Sequence, residues 1–190
     1  MRQSLCRGWK FSARPGGARG GFTLVELLVT IGIIGVLSGV AVSQISANLP
    51  LWRAKGASDQ VISMFQKARA QSVKTNKWAL VAFSGINSPG ASTISIYEDT
   101  NGNGVLETGT DQRISHMDLQ KHYIGAYVRS VSANAKVTPT GISVVALGPD
   151  GTIKPSSLLM PIDVVIASSN ARVTTVFTIR VERSGLPRRL

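Results

Sequence analysis

The chain has 190 residues, room for one ordinary domain or one domain with an appendage. Hydrophobic residues make up 43% and charged residues only 16%, well below the roughly 25% of a typical soluble domain. Lysine plus arginine is 21 against 10 acids, a net charge of +11, and there is one cysteine, which together exclude an acidic disordered chain, a collagen and a disulfide-stapled scaffold.

The first segment, 1–21, contains Arg2, Arg7, Lys10, Arg14 and Arg19 and no acid. It is glycine-rich and carries Pro15, so it will not hold a helix throughout. Preceding an apolar run, it reads as a cytoplasmic basic leader under the positive-inside rule. Residues 22–45 form that run: 15 of the 24 are apolar, three are glycine, and Glu26 is the only charge. As a helix the run is about 36 Å long, enough to cross a hydrocarbon core of about 30 Å. Glu26 is the anomaly, because a carboxylate inside an apolar span costs roughly 2.5–3.5 kcal/mol on insertion scales. Either it lies close enough to the start of the span to reach the head groups, or it pairs with a positive group supplied by another subunit. An ordinary secretory signal cleaved near Ala41 or Ala47 is the competing reading; the length of the run and its Glu argue against it.

Gly20-Gly21-Phe22-Thr23-Leu24-Val25-Glu26, with a basic leader before it and a long apolar helix after it, resembles the processing site of type IV prepilins and of the pseudopilins of type II secretion. The resemblance implies cleavage between Gly21 and Phe22 by a membrane prepilin peptidase and N-methylation of Phe22. Glu26 then becomes the fifth residue of the mature chain, neutralising the terminal amine of Phe22 on a neighbouring subunit in a filament. A charge too costly to leave alone in lipid becomes tolerable once paired. Cys6 would leave with the leader, so the mature chain would have no cysteine and no C-terminal disulfide loop, which favours a minor pilin or pseudopilin.

Beyond the span, Leu51, Ala54, Ala57, Val61, Met64, Phe65 and Ala68 recur at spacings of three and four. The expectation is one long helix from Phe22 to about Thr75, its second half packed on a sheet, with Pro50 kinking it or melting it locally. From Trp78 the pattern turns to short β-rich runs at 78–84, 92–98, 112–117, 123–131, 142–147, 162–167 and 173–181, and no helical period recurs. Asn87-Ser88-Pro89-Gly90, Pro149-Asp150-Gly151 and Ser168-Ser169-Asn170 mark turns. The predicted organisation is a leader at 1–21, a transmembrane half-helix at 22–45, a periplasmic half-helix at 46–77 and a β-rich domain at 78–190. The fold class is α+β: a long N-terminal helix packed on an antiparallel sheet, as in pilins.

Glu98-Asp99-Thr100-Asn101-Gly102-Asn103-Gly104, then Leu147-Gly148-Pro149-Asp150-Gly151, then a strand ending Ile179-Arg180-Val181-Glu182-Arg183-Ser184-Gly185, resemble in order the minor pilins and pseudopilins of the GspH/FimT type. One departure is the close, Gly185-Leu186-Pro187-Arg188-Arg189, where that group often has Gly-Arg-x-Arg. Asp99, Asn101, Asn103 and Gly104 also fit the first half of a calcium loop, but the twelfth position is Thr110, and Glu107 and Asp111 are out of register. A structural hairpin is expected there. His116 and His122 have no cysteine or ordered set of acids near them, so no metal and no cofactor are expected. No nucleophile elbow, phosphate loop or zinc-protease motif is present in the sequence, and the chain is not read as an enzyme.

Arg172, Arg180, Arg183, Arg188 and Arg189 concentrate charge in the last 19 residues against one acid, Glu182. The plain reading is a soluble, poorly ordered tail. The sharper one is that Arg180, Arg183, Arg188 and Arg189 contact DNA phosphates, since FimT-type minor pilins are linked to DNA uptake and clustered arginines suit phosphate. No aromatic platform interleaves with them, so base readout is not indicated. The resemblance implies a single-pass inner-membrane protein, N-terminus cytoplasmic and C-terminal domain periplasmic. Its implied partners are a prepilin peptidase, an inner-membrane assembly platform, and other pilins or pseudopilins in a filament. The implied function is that of a minor pseudopilin of type II secretion, with a FimT-type minor pilin that binds DNA as the alternative. A membrane-anchored periplasmic enzyme or binding module unrelated to pili is the reading from another class.

Overall fold

In the computed structural model, residues 21–132, 135–138, 141–154, 161–169 and 176–190 are described. They fall into two units, divided between Ser43 and Gln44.

The described part of the first unit is the start of helix α1 (Leu24–Thr75). Its large apolar side chains from Phe22 to Val42 are all exposed. A continuous apolar surface of this kind needs lipid or other helices around it. Two hydroxyls inside it are folded back onto the helix: Thr30 donates to the Leu27 carbonyl at 2.8 Å, and Ser43 to Val40 at 2.8 Å. That satisfies hydroxyls that lipid cannot. The helix continues through Pro50, so of the two expected effects, a kink or local melting, the melting does not occur. A single proline removes one backbone donor, and the turns on either side carry the helix past it.

In the second unit, α1 buries one stripe, Ala54, Ala57, Ser58, Val61, Met64, Phe65, Ala68 and Ser72, at the three- and four-residue spacing of a helix face. The strands are β1 (Ala79–Ser84), β2 (Thr93–Glu98), β3 (Gln112–Asp118), β4 (Ala126–Val131), β5 (Lys136–Val137), β6 (Ser143–Leu147), β7 (Ile162–Ser168), β8 (Val176–Val181) and β9 (Pro187–Arg189). They form two antiparallel sheets rather than one, ordered β3-β2-β1-β6-β5 and β4-β7-β8-β9. One core joins the helix stripe to both: Val81, Phe83, Ile94, Ile96 and Leu147 come from the first sheet, and Val128, Val164, Ile166 and Ile179 from the second. Phe65 stacks obliquely on Phe83 with ring centroids 6.0 Å apart. Leu80, Ala82 and Val144 face the other way and are covered by Leu106 from the loop after β2. The β1 run Ala-Leu-Val-Ala-Phe is therefore buried on both faces, which is why it lacks a polar alternation.

Three further expectations change. A four-residue helix, α2 (Leu119–His122), interrupts the β region; Asp118 caps it by accepting from the Gln120 and Lys121 amides at 2.9 and 3.2 Å. The strand expected at 123–131 consequently starts at Ala126, after Tyr123 closes α2 and Gly125 turns the chain at a φ of 87°. The tail is not poorly ordered: β9 pairs with β8, setting Val181 opposite Pro187 and Arg180 opposite Arg188. Arg172 and the start of the strand expected at 173–181 lie outside the described residues, as do residues 1–20 of the 1–21 leader and Asn170 of the last turn.

Candidate functional site

At the head of α1, Thr23 is the cap that the sequence reading passed over. Its hydroxyl accepts the Glu26 amide at 3.2 Å and its carbonyl accepts the Leu27 amide at 3.2 Å. Thr-x-x-Glu before an apolar run is the signature of a capping box, and this is its forward half. The cap places Glu26 in the first turn, at the positive end of the helix dipole. Among the described residues, a Cβ at Gly21 would meet nothing within 4 Å, and the Phe22 side chain is 82% exposed. Further along, Gly35, Gly39 and Ser43 recur every four residues on an exposed face, a spacing that lets a second helix approach backbone to backbone.

The acidic loop between β2 and β3 turns its oxygens onto its own backbone. Asp99, 1% exposed, accepts the Asn101 and Gly102 amides on Oδ1 at 3.1 and 2.7 Å and the Gly104 amide on Oδ2 at 2.6 Å. Asp111 accepts the Thr100 and Glu107 amides at 3.1 and 2.7 Å. Glu107 takes the side-chain amides of Asn101 and Asn103 at 3.0 and 2.9 Å. Every acid of the loop is thus engaged in holding a hairpin.

The two histidines line one pocket. His116 exchanges a hydrogen bond with the Ser95 hydroxyl at 2.9 Å across β2 and β3. The α2 turn brings His122 to the same pocket of about 230 Å³, lined also by Gln60, Met64 and Tyr123. Among the described residues no group of three or more His, Cys, Asp or Glu side chains could hold a metal.

The four arginines proposed for phosphate do not share one free face. Arg180 makes a two-pronged pair with Asp163, donating at 2.9 and 3.1 Å, and these hydrogen bonds to the carboxylate push the Arg180 pKa up. Arg188, directly across the strand pair, lies 3.8 Å from Glu182. Arg189, one residue on, points to the opposite face, where it reaches Asp59 of α1 at 2.6 Å and lies 5.7 Å from the Phe177 ring centre. Arg183 is exposed and has no acidic partner among the described residues.

Residues 17–42 match the prokaryotic N-terminal methylation motif. No curated protein and no solved structure matches the chain. The matched segment covers the Gly21–Phe22 bond, the Thr23 cap, Glu26 and most of the apolar run. The N-terminal segment is type IV prepilin-like, and it opens a helix long and apolar enough to cross a membrane, followed by antiparallel sheets in a pilin-like α+β architecture.

Proposed function

We propose that this chain is a minor pseudopilin: cleaved between Gly21 and Phe22, methylated on Phe22, held in the inner membrane by α1 with the β domain on the periplasmic side, and drawn into a pilus-like filament of a type II secretion system. The observation that carries this reading is the methylation motif at 17–42 set directly on the cap and first turns of an apolar helix. In a filament, Glu26 pairs with the Phe22 amine of a neighbour, and the small residues Gly35, Gly39 and Ser43 let the helices pack closely. The DNA-binding alternative has less support, since Arg180, Arg188 and Arg189 each face a carboxylate already.

The test is N-terminal sequencing of the chain expressed with and without its prepilin peptidase, combined with recovery from sheared surface fractions. The expected mature terminus is N-methylated Phe22. Glu26→Leu should insert in the membrane yet be depleted from the sheared fraction. Retention of the leader in the presence of the peptidase, or normal incorporation of Glu26→Leu, overturns the assignment. Loss of exoprotein export with intact DNA uptake in a null strain supports the secretion role, and the reverse supports the pilus alternative.

A further inference from the structure

We infer that the globular domain carries a docking groove for an acidic, apolar segment of a different protein, centred on Arg69. The groove, about 420 Å³, is lined by Gln66, Arg69, Ala70, Val73 and Lys74 of α1 and by Leu186 beyond the last turn. Its apolar members are open to solvent: Val73 is 56% and Leu186 49% exposed. Arg69 is held from above by two turns. Its Nε lies 3.1 Å from where a Cβ on Gly151 would sit, and its Cδ 3.5 Å from the same point on Gly185. Both glycines have positive φ, 72° each, so the backbone of both turns approaches the arginine stem as only glycine allows. The arginine stem is thereby packed beneath both turns, and its Nε is fully buried with no hydrogen-bond partner among the described residues. No carboxylate pairs with it among the described residues.

A cation stripped of water on one edge and left without a counter-charge is an uncommon arrangement, and it is relieved by an anion on the edge that still opens to the groove. Lys74 adds a second positive charge at the same wall. The apolar lining selects against a bare inorganic anion and for a carboxylate flanked by apolar side chains.

The partner is a different protein because each side-chain carboxylate of this domain is already engaged. Asp59 is taken by Arg189, Glu98 by Lys77, Asp150 by Lys154, Asp163 by Arg180 and Glu182 by Arg188. Asp99, Glu107 and Asp111 hold the β2–β3 loop, and Asp118 caps α2. A second copy would have to break one of these contacts to fill the groove. The inference does not depend on the filament reading, since every residue it uses lies in the globular domain.

The test uses the full chain in zwitterionic micelles, with 15N-arginine and valine-methyl labels, titrated with Ac-Leu-Glu-Leu-Glu-Leu-NH2. The Arg69 Nε–H and Val73 methyl signals should shift saturably. Replacing the two Glu by Gln in the peptide should weaken binding at least about tenfold, as expected on loss of a charge-assisted hydrogen bond. Arg69→Gln should abolish the response. So should Val73→Asp, which sets a carboxylate in the groove at an exposed position and leaves the core untouched. The inference fails if the folded protein shows no saturable shift at Arg69, or if the Gln peptide binds equally. It also fails if duplex DNA moves the same signals more strongly than the peptide, or if they shift with protein concentration alone, which would indicate self-association.

Discussion

Replacing Asp99 by Asn separates a structural hairpin from a cation site, because it changes one atom and removes one charge. The native carboxylate is buried and accepts three backbone amides, two on Oδ1 and one, from Gly104 at 2.6 Å, on Oδ2. The least costly orientation of Asn keeps its oxygen on the Asn101 and Gly102 amides and turns its NH2 toward the Gly104 N–H, donor against donor. The opposite orientation sacrifices two bonds instead of one. Losing one charge-assisted bond, with the remaining two becoming neutral, costs about 2–3 kcal/mol. For a chain of this length that is a fall in melting midpoint of roughly 4–12 °C. The assay is near-UV circular dichroism of the full chain in detergent, heated in excess EDTA and again in calcium. The fall should appear in full in EDTA, and wild type should melt at the same temperature in both. An Asp99→Asn midpoint equal to wild type in EDTA, together with a calcium-dependent rise in the wild type, would refute the hairpin argument and make the loop a cation site.

Three other outcomes follow from single contacts. The ammonium of Lys77, 2.8 Å from Glu98, and then the Gln71 amide hold the Glu98 carboxyl below its ordinary value of 4.5. Its folded pKa being the lower one, its stabilisation is complete above pH 4.5 and is lost as pH falls through the depressed value, so Lys77→Met should flatten the acid limb of a stability–pH curve; an unchanged slope would show the pair to be inert. Gly185→Ala should destabilise by about 2 kcal/mol or more, since φ is 72° and the new Cβ would collide with the Gly151 carbonyl; chemical denaturation at wild-type midpoint would contradict this. Gly56→Ala, a gain of about 1 kcal/mol on helix propensity alone, should instead be neutral or lose up to about 2 kcal/mol, because its Cβ would lie 2.7 Å from Cε1 of Tyr123; a measured gain would mean the ring swings aside freely.

The long helix and the β-rich remainder were legible because both rest on periodic patterns: Ala54, Ala57, Val61 and Ala68 repeat as a helix face, and the strands as short apolar runs. Helix α2 was not, because four residues are too few to show a period; only the Asp118 cap, a local signal, announces it. Strand β9 escaped because Pro-Arg-Arg has no strand character of its own, and its place is set by pairing with β8 and by the Arg189–Asp59 contact across the fold. The split into two sheets is a matter of which strands pair, which no run of residues declares. At the candidate site, Glu26 stood out as a lone charge in an apolar span, whereas its neighbour Thr23 was readable from Thr-x-x-Glu and was overlooked. Arg69 had no local signal at all: its isolation comes from Gly151 and Gly185, more than eighty residues away in sequence.

The net charge of +11 looks at first like a nucleic-acid footprint, but the distribution of its partners argues otherwise. Five of the basic residues lie in the 1–21 segment, leaving 16 against 10 acids from Phe22 onward. Of the arginines near the C-terminus, Arg180, Arg188 and Arg189 sit opposite carboxylates, on two faces of the sheet. Phosphate binding draws on clustered cations that release counter-ions, and a cation already paired within the protein contributes less of that term. The charges left without a carboxylate among the described residues include Arg53, Lys55, Arg69, Lys74, Arg113, Lys121, Arg129 and Arg183, spread over α1, α2, β3, β4 and the last turn. Such a scatter steers anionic partners toward the domain over distances of a Debye length without fixing a register on DNA. Specific recognition needs a place where a cation is both packed against the fold and deprived of water, and among these residues Arg69 meets both conditions, with a buried Nε and two glycine turns upon its stem.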